Sequence, residues 1–166
     1  VPLALSTSPP LPELAIVEVR ADPLGREPTQ EYVELENRGA VPVDIGGLVL
    51  ADALFSEGDA LPPLAVPPGG RVLVVADAFD PDDMADVPVP PGVPLARVDG
   101  SLGSGGLAAY GEPLFLRDAA HHRLSAAPPL PARPGVCIVR VIADPRSGAP
   151  SAFAYDPAGT CSPGTE

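Results

Sequence analysis

Short apolar runs, each closed off within a few residues by proline, glycine, asparagine or aspartate, limit what this chain can become more than any other feature. The clearest are LAIVEVR (Leu14 to Arg20), EYVELEN (Glu31 to Asn37), GLVLAD (Gly47 to Asp52), RVLVVAD (Arg71 to Asp77), PLFLRD (Pro113 to Asp118) and VCIVRVI (Val136 to Ile142). Runs of this length between turn-forming residues read as strands. AVPVDI, HHRLSA and AFAYD are weaker candidates, and the proline in the first suits a sheet edge. No stretch carries a helical period over ten residues, and Asp80 to Asp86 makes at best one short helical turn. Many short strands without helices predict an all-β sandwich or barrel.

Alternation within the runs predicts which faces are covered. In EYVELEN, Val33 and Leu35 point one way with Glu31, while Tyr32, Glu34 and Glu36 point the other, which suits a strand covered on one face only. RVLVVAD is apolar on both faces and is expected nearer the middle of a sheet. Asn37-Arg38-Gly39 has the residues of a hairpin connection, and the pairs Gly46-Gly47 and Gly69-Gly70 offer sharp reversals.

The 25 prolines and 17 glycines bring the chain near the range, roughly 25–30%, where biased sequences lose order. Its Leu, Ile, Val and Phe content nevertheless exceeds the roughly 20% below which no core assembles. One folded domain over residues 14–166 is expected, behind a proline-rich linker over residues 1–13. Residues 126–134 form a second proline-stiffened connector.

A net charge of −12, from 22 acidic residues against ten arginines and no lysine, repels phosphate backbones and argues against nucleic-acid binding. No window approaches the roughly 20 apolar residues of a membrane span, so membrane insertion is not expected. The N-terminal VPLALSTSPPLPE shows no signal-peptide pattern. The two cysteines, Cys137 and Cys161, fit no zinc-ligand spacing. Paired as a disulfide they would close a loop of about 25 residues, worth roughly 3.5 kcal/mol, and imply an oxidising compartment; the alternative is two unpaired thiols.

The order of these segments resembles the lamin tail domain in the form found in bacterial secreted and surface proteins. IVEV (Ile16 to Val19), EYVELEN and IGGLVLAD (Ile45 to Asp52) are similar to that family's first three strand motifs. VPPGGRVLVVAD and GEPLFLRD are similar to later ones, and CIVRV with the closing SPG (Ser162 to Gly164) to its last, so the resemblance spans about residues 14 to 165. Leu48 stands where the family often has Trp, and AAHH (Ala119 to His122) replaces an Asn-Gly turn. The resemblance implies an immunoglobulin-like β-sandwich without catalytic residues. It would serve attachment or recognition of a protein or cell-envelope component within a larger extracytoplasmic protein.

Several clusters carry a chemical alternative. Asp77, Asp80, Asp82, Asp83 and Asp86 fall within ten residues. Calcium takes six to eight oxygen ligands from flexible loops, so the run reads either as a solvated loop or as a calcium site. Its spacing is not that of an EF-hand, since Met84 holds the fifth position counted from Asp80. No other cofactor is implied. Asp118, His121 and His122 form the one histidine-bearing group. If Ala119-Ala120 is a two-residue hairpin tip, Asp118 and His121 face each other as a cross-strand ion pair; the alternative is a metal-assisted hydrolase using Asp118 and His121. Glu18, Glu31, Glu34 and Glu36 are expected to face solvent or a turn. A glycosidase pair among them would need carboxylates about 5 to 9.5 Å apart and the aromatic platforms a chain without Trp lacks. Ser101, Ser104 and Gly103 to Gly106 read as a flexible loop, since no lysine follows to make a phosphate loop.

Overall fold

The computed structural model describes residues 10–53, 55–103 and 105–165. In chain order the strands are β1 (Leu14–Arg20), β2 (Tyr32–Asn37), β3 (Val43–Asp44), β4 (Val49–Ala51), β5 (Asp59–Ala60) and β6 (Ala65–Val66). They continue with β7 (Arg71–Val75), β8 (Leu95–Arg97), β9 (Leu114–Arg117), β10 (Arg123–Ala127), β11 (Ile138–Arg140) and β12 (Phe153–Tyr155), the last preceded by a 3-10 turn at Pro150–Ala152. No α-helix occurs among the described residues. The chain is an all-β sandwich. One sheet has the order β12-β11-β1-β2-β7-β8 and the other β10-β9-β4-β5, with β3 and β6 pairing separately.

The main core lies between these sheets. Ile16, Val33, Leu35, Val72 and Val74 from the larger sheet meet Leu50, Leu114, Leu116 and Leu124 from the smaller, all buried. Each such side chain contributes about 1.5–3 kcal/mol on burial. The sheets are also bracketed by polar bonds where β1 shifts register between Ile16 and Glu18. The shift leaves Val17 without a partner on β2, while Ile16 stays opposite Leu35 and turns its amide and carbonyl away from β2. Its amide donates to Ser125 Oγ at 2.8 Å and its carbonyl accepts from Arg140 Nε at 2.7 Å, tying β1 to β10 and β11. Burial, and then the charge of Arg38, lower the Arg140 guanidinium to about 10.

A second apolar layer covers the opposite face of the larger sheet. Strands β7 and β8 are parallel neighbours, and a parallel pair requires the chain to cross back over one face of its sheet. Here the crossover is not a helix but the proline-rich loop between Ala76 and Pro94. Its Phe79 and Val89 pack with Tyr32, Leu73, Val75, Cys137 and Cys161. Both faces of β2 and β7 are therefore buried. For β7 that agrees with its two-sided apolar pattern; for β2 it corrects the expectation of one covered face.

One further expectation changes. Asn37-Arg38-Gly39 does not connect paired strands, because β2 pairs with β1 and β7 while β3 pairs with β6. Asn37 is instead a buried brace. Its amide nitrogen donates to the carbonyls of Val41 at 2.8 Å and Val66 at 2.9 Å, and its oxygen accepts from Gly39 N at 2.9 Å. Of the N-terminal linker, residues 1–9 lie outside the described residues, and Leu11 packs half-buried against the main core.

Candidate functional site

Glu18 and Glu34 lie directly opposite each other across the β1–β2 ladder, and both are buried. Facing carboxylates repel, so donors must converge on them. Ser162 supplies its amide, 3.1 Å from each Glu18 oxygen, and its hydroxyl at 2.7 Å; the Tyr32 hydroxyl also donates to Glu18. Glu34 accepts from Gly164 N at 2.7 Å and from Arg71 Nη1 at 2.6 Å. Burial pushes the Glu34 carboxyl up to about 7 against the pull of those donors. Burial, reinforced by Glu18, raises the Tyr32 hydroxyl well above its ordinary value.

Three of these donors come from one short segment, Ser162 to Gly164, which lies over the outer face of the sheet. Its own Pro163 and the preceding Cys161 are buried. Gly164 holds φ +74°, and a Cβ there would stand 2.3 Å from Val93 Cγ2, so this one position of the segment favours glycine. Just ahead of β11, Cys137 is joined to Cys161 by a disulfide with Cα atoms 5.0 Å apart. The carboxylates expected at the surface are thus anchors for the segment that hides them. Only Glu36 keeps partial exposure, between Arg71 Nη2 at 3.2 Å and Arg38 Nε at 3.7 Å.

Glu31 is likewise buried, but on the other side of the strand. It accepts from Leu107 N at 2.7 Å, and a Cβ on Gly106 would lie 2.8 Å from its Oε1. Burial first, then the charges of Glu27 and Glu112, lift its carboxyl to about 7. Asp59 holds the same loop, accepting from Gly103 N at 2.7 Å. The glycine-rich loop is therefore pinned by two carboxylates; Ser104 lies outside the described residues.

The acidic run is divided among separate tasks. Asp86 accepts from the amides of Leu24 at 2.9 Å and Gly25 at 2.8 Å and lies 3.8 Å from the buried guanidinium of Arg20. Arg20 also stacks over the Tyr32 ring at 4.6 Å and donates Nε to Gln30 O at 2.9 Å. Its Nη1 finds no hydrogen-bond acceptor among the described residues, and burial lowers its pKa. Asp80 and Asp83 accept locally, from Asp82 N at 3.0 Å and Ala85 N at 2.9 Å. Asp77 and Asp82 are exposed. Among the described residues the His, Cys, Asp or Glu trio with ligand atoms within 4.8 Å of one another is Glu18, Cys137 and Cys161, and its sulfurs are already bonded to each other. The five aspartates do not converge in that way.

The β9–β10 hairpin differs from its expected geometry. Its tip is Ala119-Ala120-His121, with His121 at φ +64°, the turn-plus-left-handed-residue arrangement of three-residue hairpin loops. Asp118 therefore pairs with His122, not His121: the ring Nδ1 and Asp118 Oδ2 are 2.8 Å apart. Asp118 Oδ1 also accepts from Ala120 N at 2.9 Å and His122 N at 2.8 Å, and these bonds hold its carboxyl below the ordinary value. His121 turns instead against the Phe55 ring, with centroids 5.4 Å apart.

A cleft of about 340 Å³ opens beside the smaller sheet, lined among others by Asp52, Ser56, Glu57, Asp59 and Glu112. Below it, buried Arg117 donates to the carbonyls of Ser56 and Glu57. No family model, curated protein or solved structure matches this chain. The sandwich and its buried contacts are therefore what a functional assignment rests on. No helix among the described residues is long and apolar enough to cross a membrane.

Proposed function

We propose that this chain is a non-catalytic binding or attachment module of the lamin-tail kind, an immunoglobulin-like sandwich within a larger secreted or cell-surface bacterial protein. The observation that carries this reading is the use made of Glu18 and Glu34. Carboxylates that serve as acid, base or nucleophile need an open side toward a substrate. These two spend their oxygens on Ser162, Tyr32, Gly164 and Arg71 and lie under the segment they hold. The order of strand motifs from Ile16 to Gly164 supports the family. The Cys137–Cys161 bond supports an extracytoplasmic location, because disulfides persist in oxidising compartments. The net charge of −12 favours a protein or cell-envelope partner over nucleic acid.

The test uses the purified, non-reduced protein carrying a fluorophore. Saturable binding to cell-envelope preparations, together with no turnover of an ester, phosphate and glycoside panel, is the expected result. Hydrolysis that disappears in an Asp118→Ala variant would overturn the proposal and make the chain an enzyme.

A further inference from the structure

The segment Asp156 to Thr165 is attached to the sandwich in an unusual way. From Cys161 onward its only backbone–backbone hydrogen bond among the described residues is internal, from Thr165 N to Ser162 O at 3.0 Å. Beyond the packing of Cys161 and Pro163, what holds it is side-chain chemistry: Glu18 and Glu34 accepting its amides, Arg71 donating to Thr165 O at 2.7 Å, and the disulfide. A strand leaves a sheet only by breaking a ladder. From Cys161 onward this segment has no ladder to break.

We infer that residues 161–165 form a redox-releasable strap, fastened by the Cys137–Cys161 bond and freed from an otherwise intact sandwich when a dithiol reduces it. A thiolate of the reductant attacks one sulfur and displaces the other as thiolate. The second thiol of the reductant then closes on the mixed disulfide, so the reductant departs as a cyclic disulfide and two electrons and two protons end on Cys137 and Cys161. With that bond gone, the strap is held by the bonds to Glu18, Glu34 and Arg71 and by the packing of Cys161 and Pro163, with no backbone ladder behind them. Water competes for each of these once the strap lifts, because both carboxylates regain solvation on exposure. Release bares Glu18, Glu34 and the Tyr32 hydroxyl while the β1–β2 and β2–β7 ladders stay paired. Local opening of this kind is expected where a segment has few backbone bonds to its neighbours.

Amide hydrogen exchange on three samples tests this: the oxidised protein, the same protein in dithiothreitol, and a Cys161→Ala variant, whose behaviour does not depend on how fast buried sulfurs react. In the oxidised protein Ser162 and Gly164 are expected to be protected. In the other two samples they should exchange like an unstructured peptide while β1, β2 and β7 keep their protection. Retained protection of Ser162 and Gly164 without the disulfide would overturn the proposal, since the carboxylates alone would then fasten the strap. Loss of protection throughout the larger sheet would also overturn it, making the bond a staple for the whole fold. An oxidised Gly164→Ala variant completes the test. It should loosen residue 164 and leave Ser162 protected; loss at both positions with the bond intact would show that the glycine seat, not the disulfide, is the fastening.

Discussion

Arg71 reaches diagonally across β2 to the carboxylate of Glu34, 2.6 Å away, although the residue directly opposite it in the ladder is Glu36. Its second nitrogen keeps Glu36 at 3.2 Å. One guanidinium thus serves a fully buried carboxylate and a half-exposed one, and the buried one still sits near neutrality in its titration.

That position fixes the sign of a pH dependence. Glu31 and Glu34 are both lifted to about 7 in the folded protein, burial being the first cause, from an ordinary value of 4.5. Between those limits the folded state binds protons that the unfolded chain does not. The stabilisation is fully present below the ordinary value and is lost as pH rises through about 7. The thermal midpoint is expected to climb as pH is lowered from about 8 to about 5, and Glu34→Gln should flatten part of that climb. A midpoint that falls steadily across the window would contradict the assignment. Asp118, held below its ordinary value, acts in the opposite sense and only below 3.8.

Asp86 is the aspartate of the acidic run on which the fold depends. Asp86→Ala leaves Arg20 buried without its counter-ion and two amides without an acceptor, a change expected to cost about 3–5 kcal/mol in urea unfolding. Asp82→Asn, at an exposed position, should stay within about 0.5 kcal/mol of the parent. Repeating both in calcium and in chelator reads out the remaining possibility. A calcium-dependent rise in midpoint that Asp82→Asn abolishes would establish a cation site in this loop.

Asn37→Ala should rank among the most damaging polar substitutions. It strips donors from the carbonyls of Val41 and Val66 and an acceptor from Gly39, and unsatisfied buried groups make a loss of roughly 3 kcal/mol the expected value. Chemical denaturation with an unchanged slope would assign the loss to the native state. A variant as stable as the parent would remove Asn37 as a brace.

At the hairpin tip, His121→Gly relieves a left-handed backbone and is expected to raise stability by roughly 1 kcal/mol. Asp118→Ala removes the acceptor of two amides and a ring nitrogen and should lower it by about 1 kcal/mol. Opposite signs in paired thermal melts are the signature of the three-residue tip; destabilisation by both would point to a role for the His121 ring against Phe55.

The strands of the larger sheet were legible because their apolar residues recur at the right period and are punctuated by turn formers. β1 runs over the same residues in sequence and structure, and β7 was recognisable as internal from its two apolar faces. What alternation cannot distinguish is a polar residue facing water from a polar residue whose partner arrives from far along the chain. Glu18 and Ser162 are 144 positions apart, and no local pattern announces their meeting. β5, β6 and β8 escaped notice because two or three residues among prolines carry no period of their own. The choice of His122 over His121 as the partner of Asp118 turned on a single residue in the tip, which only the left-handed φ of His121 decides.

The disulfide also decides how a pull on the chain would be distributed. Cys137 stands at the start of β11, and β12 lies inside the loop that the bond closes. Tension applied to the chain beyond Cys161 therefore bypasses β12 and enters β11 directly, and through the β1–β11 ladder it reaches the middle of the larger sheet. While the bond is intact the edge strand carries no force. With the bond reduced, the same tension would reach β11 only through β12 and its ladder.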